Sequence, residues 1–176
     1  IPATHQKSVA RGSAVLLEDY FGKGESVLVV DDVKDQRELA ETIFRELGYN
    51  VLSLSSGEDA VAYFRNNSVD LVFLDMIMEP GMDGIELLIE VRSRHGDLPF
   101  ILFTGRGREE VVIRAIDNGV DFYLQKGGDP RSQFAELAHK IKRAVEQNRA
   151  LRALSANEER MRLALDGTRE AHWEIN

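Results

Sequence analysis

The sequence predicts an α/β protein built around a parallel sheet, and three observations lead to this prediction. Short apolar runs recur along the chain, beginning with Ser26-Val-Leu-Val-Val30 and Val69-Asp-Leu-Val-Phe-Leu-Asp75. Segments with apolar residues at helical spacing separate these runs. The runs are nearly continuous in apolar residues, which is typical of strands buried on both faces. Together these features indicate a (βα)5 arrangement with helices on both faces of the sheet.

The first half of the chain supplies three strands and two helices. A helix is predicted from Val33 to Leu47, because apolar residues recur there at helical spacing and Gly48 stands where a C′ glycine belongs. Its apolar face is expected to consist of Val33, Leu39 or Ala40, Ile43, Phe44 and Leu47. The other elements are strands at 26–30, 51–54 and 69–74 and a helix at 57–65.

The second half repeats the pattern after a loop from Met76 to Gly84. Asp129 and Pro130 are expected to cap the final helix, which begins near Arg131. The other elements are strands at 99–103 and 121–125 and helices at 84–94 and 108–118. The inward-facing residues of the helix at 84–94 are expected to be Ile85, Leu88, Ile89 and Val91.

Composition narrows the class of protein. The chain has 176 residues, enough for one ordinary domain plus an appendage, and 43% of them are hydrophobic. Its net charge of −8 argues against a nucleic-acid surface, which would need clustered lysine and arginine. The absence of cysteine excludes disulfides, zinc–thiolate sites and thiol catalysis. The apolar runs are too short for a membrane span, so the expected location is the cytoplasm, without membrane contact.

Polar residues stand at the ends of four apolar runs: Asp31-Asp32, Asp75, Thr104 and Lys126. If the strands are parallel, these ends lie along the edge where open α/β sheets keep their sites. Three close carboxylates raise one another's pKa, and Mg²⁺ would relieve this because it prefers hard oxygen ligands. A lysine beside Asp75 would be a fixed cation for phosphoryl oxygens. The pattern therefore predicts a magnesium-dependent phosphoryl acceptor at Asp75.

Each of these residues also has a simpler structural interpretation. Asp31-Asp32 or Thr104 could cap the helix that follows, Lys126 could be a solvated lysine in a turn, and Tyr123 could be a core residue. The joint occurrence of the strand-end residues favours a site.

The acid pair Asp31-Asp32, Asp75, the segment Pro80-Gly-Met-Asp-Gly84, Thr104 and Lys126 resemble the receiver domain of two-component response regulators. The resemblance covers about residues 25–145 and implies a doubly wound, flavodoxin-like five-stranded sheet of order 2-1-3-4-5. It implies phosphorelay signal transduction, in which Asp75 accepts a phosphoryl group from a histidine kinase or phosphotransfer protein. Such a domain catalyses its own phosphorylation but is not an enzyme in the usual sense.

The resemblance also implies roles for individual residues. Asp32 would bind Mg²⁺ directly, and Asp31 would bind it mainly through water. The backbone carbonyl of Ile77 would complete the protein ligands. Mn²⁺ could take the place of Mg²⁺. Thr104 and Tyr123 would form a switch pair that changes the surface made by the fourth helix, fifth strand and fifth helix.

The sequence departs from the family pattern at two positions. Glu79 is inserted after the acceptor, so that Pro80 is the fifth rather than the fourth residue beyond Asp75. Gly127 stands where the family commonly has a proline after the lysine, which predicts that Lys126 is held more loosely.

The last helix carries a heptad-like seam formed by Phe134, Leu137, Ile141, Ala144, Asn148, Leu151 and Ser155. Two interpretations stay open: packing on the domain's own sheet, which accounts for 134–145, or pairing with a second copy beyond 145, with Asn148 fixing the register. Ser155 and Glu158 match a capping box, so a second element is expected to start there.

Residues 157–176 resemble the start of a PAS sensor domain, and residues 1–24 resemble linkers that precede receivers in hybrid sensor kinases. The expected division is a linker at 1–24, the receiver at 25–145, a helical linker at 146–156 and the PAS-like start at 157–176. A multidomain parent of the sensor kinase type is expected.

Two functional hypotheses follow: a phosphorylatable switch, or a phosphorylation-silent interaction or dimerisation module. A hydrolase, phosphatase or dinucleotide-binding enzyme is disfavoured, because the chain lacks Gly-x-Ser-x-Gly, a Gly-x-Gly-x-x-Gly after the first strand, and the second aspartate of a haloacid-type phosphatase.

Overall fold

The computed structural model of the chain describes residues 21–105, 107, 109–127 and 130–170. Five parallel strands form one sheet in the order β2-β1-β3-β4-β5, which confirms the predicted fold class. The predicted cap at Asp129, most of the N-terminal linker and the end of the PAS-like segment lie outside these residues. In chain order, the elements are β1 (Ser26–Val30), α1 (Lys34–Glu46), β2 (Asn50–Leu54), α2 (Gly57–Phe64), β3 (Leu71–Asp75), α3 (Gly84–His95), β4 (Phe100–Thr104), α4 (Glu109–Asp117), β5 (Phe122–Gln125) and α5 (Pro130–Glu170).

The sheet separates two apolar cores. Leu28 and Val30 of β1 face the core that α2 and α3 cover, whereas Val27 and Val29 face the core that α1 and α5 cover. All five residues of β3 are buried. Because side chains alternate between the faces of a strand, only a strand that is apolar at nearly every position can serve two cores.

Two helices differ in detail from the predicted apolar faces. In α3, Ile89 is 48% exposed, so its predicted inward position is wrong, and Leu87 is fully buried in its place. On a helix of 3.6 residues per turn, Leu87 lies on the same side as Leu88 and Val91, while Ile89 points away. In α1, Ala40 packs against the core and Leu39 is 61% exposed.

The start of α1 also differs from the prediction. Val33 is the N-cap residue and is 43% exposed, so it does not contribute to the apolar face. Its side chain makes no capping bond, and neither aspartate of the acid pair occupies the N-cap position.

The final helix is continuous from Pro130 to Glu170, so the predicted start of a new element at Ser155 is wrong. The residues around Ser155 are mainly alanine, leucine, arginine and glutamate, which all favour helix, and their summed preference outweighs the capping pattern. Within the part of the chain that the structure describes, no helix is both long and apolar enough to cross a membrane.

Polar contacts fix α5 to the amino ends of the strands. Asn148 is 5% exposed and donates a hydrogen bond to the Asp97 carbonyl at 2.9 Å. One residue further on, Arg149 lies 2.6 Å from the buried Glu25 carboxylate. The side chain of Asn148 therefore faces its own domain, and the register role predicted for it in a helix pair is wrong. Pairing through the later turns of α5 stays a prediction.

Candidate metal-binding and phosphoacceptor site

The parallel register brings the predicted strand-end residues to one edge of the sheet. Asp75 is the last residue of β3, and Thr104 is the last residue of β4. The backbone N–H of Lys126, directly after β5, donates to the Thr104 carbonyl at 2.6 Å. Asp31 follows β1, which pairs with β3 on its other side. The sheet order thus places β3 and its acceptor residue in the centre of the site.

Asp31, Asp32 and Asp75 form a carboxylate cluster. Each contributes one oxygen atom, and these three atoms lie within 4.8 Å of one another. Asp31 and Asp75 are only 4% and 6% exposed, and Asp32 Oδ1 is buried without a hydrogen-bond partner. A buried carboxylate oxygen without a donor is costly unless a cation neutralises it. The three oxygens therefore fit a small, hard divalent cation such as Mg²⁺.

Burial raises the pKa of Asp31 above its ordinary value. The backbone N–H of Val33, 2.8 Å from Asp31 Oδ1, opposes this change. The neighbouring carboxylates Asp75 and Asp32 raise the pKa further, while the Lys126 ammonium lowers it. The cluster is thus short of positive charge in the absence of a cation, which is the condition that favours metal binding.

Lys126 points into the cluster. Its Nζ lies 2.7 Å from Asp75 Oδ2 and 5.2 Å from the centroid of the Phe103 ring. The alternative of a solvated lysine in a turn is therefore wrong. A second acceptor, the side-chain oxygen of Gln36 in the first turn of α1, lies 2.6 Å from the same Nζ. The sequence analysis missed Gln36, because no local pattern separates it from other exposed helix glutamines.

The loop that contains the inserted Glu79 is held by two carboxylates. The N–H of Glu79 donates to Asp32 Oδ2 at 3.1 Å, and the N–H of Met82 donates to Glu58 Oε1 at 2.8 Å. Asp83 ends the loop as the N-cap of α3, with a complete capping box. The insertion therefore brings a backbone donor onto Asp32. Glu58 is a second residue that the sequence analysis missed.

The predicted switch residues lie on the same side of the site. Thr104 is 2% exposed, and its hydroxyl makes a long 3.4 Å contact to the Gly105 carbonyl. It does not cap a helix, because α4 begins only at Glu109. Tyr123 is 45% exposed, so the alternative of a core role is wrong, and Lys140 Nζ lies 5.6 Å from its ring centroid. Thr104 and Tyr123 line one surface cavity of about 350 Å³.

Two backbone positions complete the site. Ile77 lies two residues beyond Asp75, and its half-buried side chain packs against the core on the α2–α3 side. Gly127 has a φ of +104°, a conformation closed to proline because its ring holds φ near −65°. The structure thus gives a physical reason for glycine after Lys126.

An open parallel sheet with three carboxylates and a lysine at its carboxyl edge places the chain among doubly wound α/β proteins with a candidate cation site. The family model described as "Response regulator receiver domain" matches residues 27–141. The chain belongs to this family, whose members interact with histidine kinases or phosphotransfer proteins.

Individual relatives agree with this assignment. Response regulator SaeR of Staphylococcus aureus is 33% identical over 105 residues, which cover 60% of this chain and 45% of SaeR. The crystal structure of NtrX from Brucella abortus in complex with ADP is similar at a TM-score of 0.67 and 28% identity, over 75% of this chain and 29% of that chain. A response regulator receiver domain protein from Clostridium thermocellum has a TM-score of 0.65 and 27% identity, over 72% of this chain and 98% of that chain. The chain thus spans about half the length of SaeR.

Proposed function

We propose that this chain is a phosphorylatable switch in a phosphorelay, with Asp75 as the phosphoacceptor. The supporting observation is the contact of Lys126 Nζ with Asp75 Oδ2 at 2.7 Å inside the three-aspartate cluster. The phosphodonor is a phosphohistidine of a histidine kinase or phosphotransfer protein. A carboxylate oxygen of Asp75 attacks the phosphorus, the bond from phosphorus to the imidazole nitrogen breaks, and an acyl phosphate forms.

The neighbouring residues lower the barrier by electrostatics. Asp31, Asp32, Asp75 and the Ile77 carbonyl would hold Mg²⁺, with Mn²⁺ as a substitute, and the ion would supply positive charge for the phosphoryl oxygens. Lys126 would stabilise one phosphoryl oxygen, and Thr104 would donate its hydroxyl to another. Thr104 has no strong partner to give up, because its described contact is the long one to Gly105.

The effect of phosphorylation would pass from Thr104 to Tyr123, because both residues line the same cavity. The exposed Tyr123 ring lies beside the cavity that Thr104 also lines, so an inward turn of the ring would accompany movement of the hydroxyl. Ile113 of α4 lines the same cavity and is 58% exposed, and Ile116 of the same helix is 55% exposed. An apolar surface of α4, β5 and α5 would thereby change shape and serve as the output surface.

A phosphoryl analogue tests this function directly. We expect beryllofluoride, in the presence of Mg²⁺, to shift the NMR signals of Thr104, Tyr123 and the α4–β5–α5 surface, and removal of Mg²⁺ with EDTA to reverse the shift. The Mg²⁺ requirement is expected because three carboxylates repel an anionic analogue. Unchanged spectra with both additions would contradict the proposal, and Mg²⁺ alone serves as the control.

Substitution of Asp31 with asparagine tests the electrostatics of the cluster through pH. The raised pKa means that the folded state favours protonated Asp31 more than the unfolded state does, so wild-type stability falls as pH rises through this range. In EDTA at neutral pH, Asp31→Asn is therefore expected to unfold at higher denaturant concentration than wild type, and the difference is expected to vanish in acid.

With Mg²⁺ bound, the wild type is expected to be more stable than Asp31→Asn. At a hundredfold excess over its dissociation constant, Mg²⁺ would stabilise the wild type by about 2.7 kcal/mol, and it would stabilise Asp31→Asn less. Denaturation curves with and without the ion measure both effects. Equal midpoints at all pH values would show that burial of this carboxylate carries no cost.

A second role, dimerisation, is favoured by the last turns of α5. Leu151, Leu154, Met161 and Leu163 are between 43% and 66% exposed on this helix. A helical segment with several exposed apolar residues would gain stability from an apolar partner, and a second copy would supply an identical segment. This role would require no phosphoryl transfer at Asp75.

The proposed division places the receiver at 25–145 and a PAS-like start at 157–176 of a multidomain sensor protein.

A further inference from the structure

The ammonium group of Lys126 has a partner from outside the carboxylate cluster. Gln36 Oε1, on α1, lies 2.6 Å from Nζ, while Asp75 Oδ2 lies 2.7 Å from it on β3. A lysine ammonium has three N–H donors, and these two acceptors occupy two of them. Because 90 residues separate Gln36 from Lys126, the contact exists only through the fold. It joins α1 to the residue that follows β5.

The backbone of Lys126 is held by the hydrogen bond from its N–H to the Thr104 carbonyl, but this bond does not fix the far end of the side chain. Gly127, which follows with a φ of +104°, has no side chain that could pack against the lysine. The lysine side chain itself is a flexible four-carbon stem. The position of the ammonium therefore depends on side-chain contacts: Asp75, Gln36 and the Phe103 ring at 5.2 Å.

We infer that Gln36 is a positioning residue that holds the Lys126 ammonium beside Asp75 for phosphoryl transfer. This inference rests on the proposed function. When Asp75 becomes an acyl phosphate, the oxygen that Lys126 contacts changes its charge and position, whereas the Gln36 acceptor stays the same. Gln36 thus keeps one contact of the cation constant, which is the preorganisation that makes a fixed charge effective.

The neutral amide of Gln36 suits this role. A carboxylate at this position would also bind the ammonium, but it would add a fourth negative charge near the three aspartates and repel an anionic phosphodonor. An apolar side chain would leave the ammonium with Asp75 and the Phe103 ring as its described contacts.

A double-mutant cycle tests the role in the reaction. The phosphorylation rate constant with a small acyl phosphate and saturating Mg²⁺ is expected to fall about threefold to tenfold in Gln36→Leu, the worth of one ordinary solvent-exposed hydrogen bond. In a Lys126→Met background, Gln36→Leu is expected to have no further effect, because the two residues act as a unit. A fall in the Lys126→Met background as large as the one in the wild-type background would show that the two residues act independently and would overturn the inference. Glu38→Leu, a change of similar size on the exposed face of α1, is the control.

A second measurement needs no phosphoryl transfer. The NMR signal of the Lys126 Cε group is expected to move in Gln36→Leu and to stay near its wild-type position in Gln36→Glu and Glu38→Leu. An unchanged signal in Gln36→Leu overturns the role of Gln36 alone. A moved signal in a protein whose wild type takes up no phosphate overturns the phosphoacceptor function and, with it, the purpose assigned to Gln36.

Discussion

Replacement of Asp75 with asparagine is expected to abolish phosphate incorporation from a phosphohistidine donor or a small acyl phosphate. An amide oxygen is a poor nucleophile, and the amide cannot form the acyl phosphate that a carboxylate forms. The variant is expected to fold, because the amide oxygen can still accept a hydrogen bond from Lys126 and the side chain keeps its volume within the buried end of β3. Radiolabel incorporation with Mg²⁺ present, in wild type and variant, measures the effect.

The control for this prediction is Asp117→Asn, which removes an exposed carboxylate from the last turn of α4. It is expected to incorporate phosphate at the wild-type level. Persistent labelling of Asp75→Asn would place the acceptor elsewhere. A wild-type chain that stays unlabelled, yet associates through α5, would favour the phosphorylation-silent module.

Replacement of Arg92 with alanine is expected to cause a large loss of stability, about 2–4 kcal/mol. The guanidinium of Arg92, with the side chain 20% exposed, joins the end of α3 to the entries of β4 and β5. It donates hydrogen bonds to the carbonyl oxygens of Gly96, Leu98 and Gly119 and lies 2.8 Å from the Asp121 carboxylate. Truncation would remove all of these donors at once; the three carbonyl oxygens would lose the guanidinium, while Asp121 would keep the Phe100 N–H as a donor.

Arg94→Ala is a matched control two residues further along α3. Its guanidinium pairs only with Glu90 among the contacts described, at 2.7 Å on the surface, and the arginine side chain is 59% exposed. An exposed pair of this kind contributes about 0.3–0.5 kcal/mol. Chemical denaturation of both variants measures the difference. Similar losses for the two would show that the contacts of Arg92 contribute no more than a surface ion pair.

The polar contacts of Arg92 illustrate what a sequence pattern does not encode. Its acceptors come from the helix end, from the turn before β4 and from the turn before β5, and an arginine in the last turn of a helix is also typical of ordinary capping. Only the packing of α3 beside these turns distinguishes Arg92 from Arg94. The same is true of the apolar residues of α3, where Leu87 rather than Ile89 is buried.

The sequence by itself determined the order of strands and helices, the two-sided burial of the sheet and the set of strand-end residues around Asp75. These features are local: a parallel strand buried on both faces is apolar at nearly every position, and the residue that ends it lies at the carboxyl edge. Only the tertiary structure decided that Gln36 binds Lys126 and that Asn148 binds the Asp97 carbonyl of its own domain. Those partners lie 90 and 51 residues apart, and their contact depends on helix placement and side-chain length, which the spacing of residues along the chain does not specify.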